Sequence, residues 1–313
     1  VAQERDFPLL ELLGVDLPGA VTVRRVDGTT PDAAAEESAG IRPLRFSLAG
    51  AQFKFSAVME LRGKPTIPRG GVGGEWIVKL PRELYPYVAE NEFAMLTFAR
   101  EVGIEVPECG LVEQSDLRSI VSGSGGNLGR AFYIKRFDRD RTRRIHIEDF
   151  NQIFRQHPAD KYKRVSYGGI LEFVWRTMGE GTTRDFVRRL VFSAGIGNGD
   201  MHLKNWSVIY RDRRTPELAP AYDYLSTITY IPDDKLALTL AGTREWSDVS
   251  ETLLERFARK AGVPRDVVLE PAREMADLMR EGWPKLKPDL DLPSRIAEAI
   301  DAHMRRVPLL QPR

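Results

Sequence analysis

Apolar residues come in short runs through the first half of the chain and at helical spacing in the second. Phe53 to Leu61, Trp76-Ile-Val-Lys-Leu, Gly110-Leu-Val, Ser119-Ile-Val and Ala131-Phe-Tyr-Ile read as strands. Glycine turns separate them, among them Gly70 to Gly74 and the hairpin signal Ser122-Gly-Ser-Gly-Gly-Asn. Ala20-Val-Thr-Val-Arg-Arg reads as an earlier strand. One helix is expected among these runs, Glu90 to Val102, with Phe93, Leu96 and Val102 on one face and Gly103 as its stop. Beyond residue 145 the period lengthens. His146 to Phe154, Gly168 to Met178, Thr183 to Gly195, Ser250 to Ala261, Pro271 to Arg280 and Ser294 to Val307 are the predicted helices. Strands first and helices afterwards predict an α+β chain with a smaller β-rich N-lobe and a larger, mainly helical C-lobe. The composition divides it into an N-terminal lead-in, 1–40, an N-lobe, 41–137, and a C-lobe, 138–313.

The 313 residues are 42% hydrophobic and 29% charged, the balance of a folded globular chain rather than a disordered one. With 46 Lys+Arg against 45 Asp+Glu, net charge alone does not hold it to nucleic acid. The single cysteine, Cys109, cannot close an internal disulfide, which points to a reducing, cytoplasmic compartment. No run approaches the ~20 apolar residues of a membrane-spanning helix. The start, Val1-Ala-Gln-Glu-Arg, lacks the basic-then-apolar form of a signal peptide.

The chemistry concentrates in Gly197-Asn-Gly-Asp-Met-His-Leu-Lys-Asn205, between an apolar helical stretch and the strand-like Trp206-Ser-Val-Ile-Tyr. It carries a carboxylate, Asp200, and an amide, Asn205. A second carboxylate, Asp223, follows in Ala221-Tyr-Asp-Tyr. Phosphoryl transfer from a nucleotide uses such a set: one Asp takes the proton of the attacking hydroxyl, and an Asn and another Asp hold Mg²⁺ at the phosphates. The Asp-x4-Asn spacing is that of a kinase catalytic loop. The plainer reading is a surface loop closed by Asx turns at Asn198, Asp200 and Asn205. Lys79, in its apolar run, suits contact with nucleotide phosphates, or is an ordinary edge-strand lysine. Glu92 is the candidate partner of Lys79, with Glu90 as its rival. Small residues in Ser47-Leu-Ala-Gly-Ala-Gln-Phe-Lys54 would let backbone N–H groups approach phosphates. Lys135-Arg-Phe-Asp138 leaves the first lobe, where a hinge would present its backbone to an adenine. Arg136, Arg139, Arg141, Arg143 and Arg144 form either a solvated basic loop or a site for a phosphoserine or a DNA backbone.

Four stretches, in one order, resemble the HipA family of bacterial serine/threonine kinase toxins. Ser47 to Lys54 is similar to its Ser-Val-Ala-Gly-Ala-Gln-x-Lys loop, and Glu90-Asn-Glu-Phe to its Asn-Glu-aromatic helix start. Lys135-Arg-Phe-Asp-Arg resembles its Glu-Arg-Phe-Asp-Arg hinge, and Asp200-Met-His-Leu-Lys-Asn its Asp-x-His-x-Lys-Asn catalytic loop. The resemblance implies a two-lobed protein-kinase-like fold, ATP as phosphoryl donor and Mg²⁺ as cofactor. It makes Asp200 the catalytic base, Asn205 and Asp223 the metal ligands, and Lys79 a phosphate contact braced by Glu92. Ala49, Gly50, Ala51, Gln52, Phe53 and Lys54 become the phosphate loop. Lys135, Arg136 and Phe137 line the adenine, Asp138 reaches the ribose, and His202, Leu203, Lys204 and Tyr222 complete the nucleotide wall. Ser47 takes the family's autophosphorylated position, where a dianion would oppose the nucleotide. Lys135 departs from the hinge Glu. Only 46 residues precede Ser47, so the chain reads as a short, HipT-like member or a truncated one. For the short form, a small HipS-like protein would supply the missing subdomain. Implied partners are a protein substrate, such as an aminoacyl-tRNA synthetase, and a HipB-like DNA-binding antitoxin. Two other functions compete: a small-molecule kinase of the aminoglycoside or choline type, and an inactive kinase that only binds antitoxin and DNA.

Overall fold

The computed structural model describes residues 14–24, 26, 54–59, 65–66, 74–117, 129–140 and 143–312. The chain forms two compact units. One is Val1–Ala89 with Glu108–Ile147, the other Glu90–Pro107 with Glu148–Arg313. The helix expected at 90–102 therefore belongs mostly with the helical unit and not with the strands it interrupts.

The first unit is built on an antiparallel five-stranded sheet. Its strands are β1 (Lys54–Met59), β2 (Pro65–Thr66), β3 (Trp76–Lys79), β4 (Cys109–Glu113) and β5 (Arg130–Lys135), in the order β2-β1-β3-β5-β4. Ala57, Trp76, Val78, Val112, Leu117 and Ala131 form its apolar layer, and the Trp76 and Tyr133 rings meet edge to face. Strand β3 is the middle strand, pairing Lys79 with Lys54 on one side and with Phe132 on the other. Two-residue strands β6 (Arg139–Asp140) and β7 (Arg143–Arg144) form a separate ribbon. The expected strand at Ser119 and the hairpin after it lie outside the described residues.

Residues 20–24 are not a strand. They are mostly exposed and have no ladder partner; the Val23 N–H donates to the Gly14 carbonyl at 2.7 Å and closes a loop instead. Charge fixes this segment. Asp16, 1% exposed, accepts from Arg136 Nη1 and Arg139 Nη2, each at 3.0 Å, and from the Ser56 hydroxyl at 2.7 Å. Asp138 accepts from Arg136 Nε and Nη2, from Arg139 Nη1 and from the Gly19 N–H. The basic stretch is thus neither a solvated loop nor a phosphate site at Arg136 and Arg139. Asp16 and Asp138 supply its counter-charges inside the fold.

The second unit opens at Glu90, within α1 (Val88–Glu101), and continues from Glu148, within β8 (His146–Asp149). His146 to Phe154 is therefore a strand and then a short helix, α2 (Phe150–Ile153). The change comes at Asp149, whose carboxylate caps Gln152 N–H while the Gln152 side chain caps Asp149 in return. Strand β9 (Ser207–Tyr210) lies between β8 and β10 (Glu217–Leu218). The two helices expected around residues 168–195 run as α3 (Tyr167–Gly195), broken at Gly179, whose φ of 81° a side chain would resist. Helices α4 (Glu251–Ala261), α5 (Arg265–Leu286) and α6 (Ser294–Arg306) complete the unit. Helix α5 begins before Pro271: burial of Val267, Val268 and Leu269 outweighs the hydrogen bond that proline removes. The rings of Trp283, Phe98, Phe192 and Tyr224 pack in succession at centroid distances of 5.0–5.3 Å, tying α1, α3, α5 and the segment after β10 into one core. No helix among the described residues is long and apolar enough to cross a membrane.

Candidate active site

Helix α3 ends at Gly195, and the chain then turns through residues 196–206 before entering β9. The loop is held from several sides. The Asn198 side chain accepts from the Asp200 N–H at 3.1 Å and donates to the Asp223 carbonyl at 3.1 Å. One buried amide thus joins the two carboxylate-bearing segments. Asn205 Nδ2 donates to the Asp200 carbonyl at 2.8 Å, which commits the amide nitrogen and leaves its oxygen for another role. The Met201 carbonyl accepts from the Tyr167 hydroxyl at 3.0 Å and from Trp206 Nε1 at 3.3 Å. The Asx turn at Asn198 expected from the plainer reading exists, and it presents a carboxylate: the Asp200 side chain remains 50% exposed.

Asp223 adopts a left-handed conformation, φ 55°, which Asp and Asn accept more readily than other side chains do. Two contacts hold it. Asn198 takes its carbonyl, and three residues on Asn91 bonds both backbone groups of Ser226, accepting from its N–H and donating to its carbonyl, each at 3.1 Å. Asn91 is fully buried. The sequence marks it as part of a motif but gives it no task; the fold uses it to fix the segment that carries Asp223. Tyr224, between Asp223 and Ser226 and also fully buried, anchors the same segment by packing on Phe192.

His202 is 1% exposed, and burial pushes its pKa down to about 4, with Asp200 opposing and Lys161 adding to the shift. A neutral imidazole accepts at one nitrogen, and Lys161 Nζ lies 2.7 Å from Nε2. Lysine only donates, so the ring proton belongs on Nδ1. Leu203 is buried, beside it in a 3-10 turn. Lys204 is half-buried, and burial lowers its pKa despite the attraction of Asp149. The Tyr222 hydroxyl meets the Ser207 hydroxyl at 2.5 Å and donates to the Lys204 carbonyl at 3.0 Å, a brace for the loop.

Gly199 precedes Asp200 because nothing larger fits. A Cβ there would sit 2.2 Å from Asp234 Oδ2 and 2.3 Å from its Cγ. The carboxylate cannot swing away freely: it accepts from the Thr227 hydroxyl and, at 2.9 Å, from the Lys235 N–H, while that hydroxyl accepts from the Gly199 N–H at 2.7 Å. Gly199→Ala is expected to cost about 1–3 kcal/mol of stability, as overpacking does. Shortening the obstacle as well, with Asp234→Ser, should recover part of it. Urea midpoints of the single and double variants check this, and an unchanged midpoint for Gly199→Ala would refute the close fit.

In the first unit, Lys79 is 4% exposed on the middle strand, with its ammonium 5.5 Å from the Phe132 ring centroid. That corrects the edge-strand reading, since β3 is flanked on both sides. Glu90 and Glu92 are both buried on α1, at 6% and 3% exposure. Lys54 opens β1 opposite Lys79, whereas Ser47, Ala49, Gly50, Ala51, Gln52 and Phe53 lie outside the described residues. The N–H groups of Lys135 and Arg136 are committed to the carbonyls of Glu108 and Glu75, at 2.8 and 2.7 Å. Asp138, expected at a ribose, is 4% exposed and spends its carboxylate on two guanidiniums and the Gly19 N–H, and the Arg136 side chain is equally consumed. Both side chains are turned into this cluster, which argues against the ribose role expected of Asp138 and against a side-chain role for Arg136 at the adenine.

Residues 46–283 match the family model described as the HipA-like C-terminal domain. A protein of Sinorhizobium fredii named "Putative kinase Y4dM" is 46% identical over 99% of this chain and 77% of its own length. Another from the same organism, "Putative kinase Y4mE", is 31% identical over 92% of this chain and 74% of its own. Among solved structures, HipA of Shewanella oneidensis MR-1, in its complex with HipB and operator DNA, superposes with a TM-score of 0.76 over 98% of this chain and 79% of that one, at 20% identity. The Helicobacter pylori proinflammatory kinase CtkA superposes with a TM-score of 0.54 over 84% and 91%, at 13% identity.

Proposed function

The chain belongs to the HipA-like C-terminal domain family, and from that premise we propose that it is an ATP- and Mg²⁺-dependent serine/threonine protein kinase, the toxin of a toxin–antitoxin pair. One observation carries the reading: a single buried amide, Asn198, bonds the backbone of both Asp200 and Asp223, so the two carboxylates the chemistry needs belong to one braced assembly. A loop folded only for itself has no need to bond the segment of Asp223.

In the proposed reaction the half-exposed Asp200 carboxylate takes the proton of the acceptor hydroxyl. The freed oxygen forms a bond to the γ-phosphorus while the bond from that phosphorus to the β–γ bridging oxygen breaks, and ADP leaves with the electron pair. Asn205 and Asp223 fit a hard cation, offering an amide oxygen whose nitrogen is already committed and a carboxylate on a fixed backbone. Mg²⁺ held there would neutralise phosphate charge. The Lys204 ammonium, half-buried and with a lowered pKa, suits an anionic phosphoryl group. Lys79 would meet the donor phosphates, and the loop from Ala49 to Lys54 and the backbone around Phe137 would supply the first unit's other contacts to the nucleotide. Ser47 is the proposed site of self-phosphorylation. A HipB-like antitoxin is the proposed partner, by analogy with the Shewanella complex, and an aminoacyl-tRNA synthetase the proposed class of substrate.

Incubation with γ-labelled ATP, Mg²⁺ and a bacterial lysate tests this. Label on protein serine or threonine, Ser47 included, supports it. Label confined to small molecules would establish the metabolite kinase instead, and no label anywhere would refute the enzyme. Asp223→Ala is expected to weaken ATP binding at least about tenfold with Mg²⁺ present and little in EDTA, because a carboxylate ligand acts through the metal. Calorimetry in both buffers checks it; equal losses would make Asp223 structural.

A further inference from the structure

Residues 158–164 approach the 198–205 loop from α2's side of the sequence. Pro158–Asp160 is a 3-10 turn capped by the His157 ring, and it delivers the next two side chains to one place. Lys161 donates to His202 Nε2 at 2.7 Å. Tyr162 donates its hydroxyl to Asp200 Oδ1. The Leu203 N–H donates to the Lys161 carbonyl at 3.3 Å, so backbone as well as side chains couple the two segments. The Tyr162 and His202 rings meet edge to face at 4.8 Å, and the Lys161 ammonium lies 4.9 Å from the Tyr162 ring centroid. Residues i and i+1 of one segment thus hold residues j+2 and j of the other.

These are not the contacts of a plain loop brace. The other aromatic braces of this loop, from Tyr167, Trp206 and Tyr222, end on backbone carbonyls and come from buried or half-buried side chains. Tyr162 is 41% exposed and ends on a carboxylate oxygen that is itself half exposed, so the bond shields little apolar surface. Its effect falls on the direction of one carboxylate. Oδ1 is committed to Tyr162, which leaves Oδ2 to face an acceptor.

We propose that Tyr162 and Lys161 are positioning residues of the phosphoryl-transfer site, Tyr162 fixing the rotation of the Asp200 carboxylate and Lys161 fixing the imidazole of His202 beside it. The inference rests on the kinase reading above. Tyr162 suits a donor role: burial and the adjacent Asp200 raise its pKa, so the hydroxyl keeps its proton. His202 Nε2 is the acceptor in its bond with Lys161, because an ammonium only donates.

The test uses the full chain with γ-labelled ATP and Mg²⁺, following transfer to water and to the chain itself. Tyr162→Phe keeps the ring and deletes the donor. It is expected to lower kcat by about 10- to 100-fold, the cost of a misplaced reacting group, with the KM for ATP and the calorimetric Kd for ATP–Mg²⁺ within twofold of the parent. Lys161→Met should show the same split, and Lys161→Arg, which retains a donor, should recover most of the lost rate. A parental or raised kcat in Tyr162→Phe overturns the proposal, as does a fall in ATP affinity or thermal midpoint that parallels the fall in rate. A parent chain that transfers no phosphate would instead remove the kinase reading, on which this one depends. An active parent beside an equally active Tyr162→Phe would remove only the positioning role.

Discussion

Asp200→Asn is expected to lower phosphoryl transfer by about 10²- to 10⁴-fold while leaving fold and nucleotide affinity in place. The magnitude is that of a positioned general base. The separation of effects follows from the local bonds. Apart from the Tyr162 bond, what shapes the loop at this position uses the main chain: the Asp200 N–H goes to Asn198, and its carbonyl takes the Asn205 amide and the His202 N–H. An asparagine keeps all of these and still accepts from Tyr162 through its amide oxygen. What it cannot do is take a proton. Rates measured with labelled ATP, next to ATP–Mg²⁺ calorimetry, check the result. A variant that transfers phosphate at the parental rate would exclude Asp200 as the base, and one that loses ATP affinity equally would make the residue a binding group.

The parts of this architecture that were legible in the sequence are those written in short range. Strands β3 and β5 follow from apolar runs between turn signals, and α4 and α6 from apolar stripes whose period matches a helix. The segment from Gly197 to Asn205 was legible as a loop for a different reason: its polar, Gly- and Asn-containing run separates an apolar helical stretch from an apolar strand. What stayed hidden depends on partners far along the chain. Arg136 and Arg139 look like a solvated run until Asp16 is brought to them. Asn91 looks like a helix start until Ser226 closes on it. Lys161 and Tyr162 sit in a polar stretch with no periodic signal, and only the turn at Pro158 aims them. Asp234 left no mark in the sequence at all; its presence shows only in the fit that forbids a side chain at Gly199. Helix α5 was missed at its start because Pro271 reads as a boundary, whereas tertiary burial overrode it.

Arg136→Ala is expected to produce the largest loss of stability in the first unit. The guanidinium is 6% exposed and bonds Asp16 and Asp138 at once, with Asp16 at 1% and Asp138 at 4%. Forming such a cluster gains little net free energy, because removing the charges from water offsets most of their attraction. Breaking it is another matter, since two carboxylates would then share Arg139, with only a longer Arg144 contact at 3.8 Å to Asp16, in a nearly dry site. Removing one partner of a buried pair costs about 3–5 kcal/mol. The loss should be local. Arg136 ties the segment from Gly14 to Gly19 to β1 and β5, so amide protons of those strands should exchange faster by a factor matching that free energy, while α3 and α5 in the second unit keep their protection. The contrast is Arg188, whose guanidinium bonds Glu274 at 2.6 Å with both side chains substantially exposed. Arg188→Ala should cost under about 1 kcal/mol, as exposed pairs do, although its bond is the shorter on distance alone. Hydrogen exchange read by mass spectrometry on both variants decides the matter. Equal, small effects would show that the Asp16–Arg136–Asp138 cluster is solvated in solution. A large effect at Arg136 spread over both units would show that the segment from Gly14 to Gly19 supports the whole chain, and not the five-stranded sheet alone.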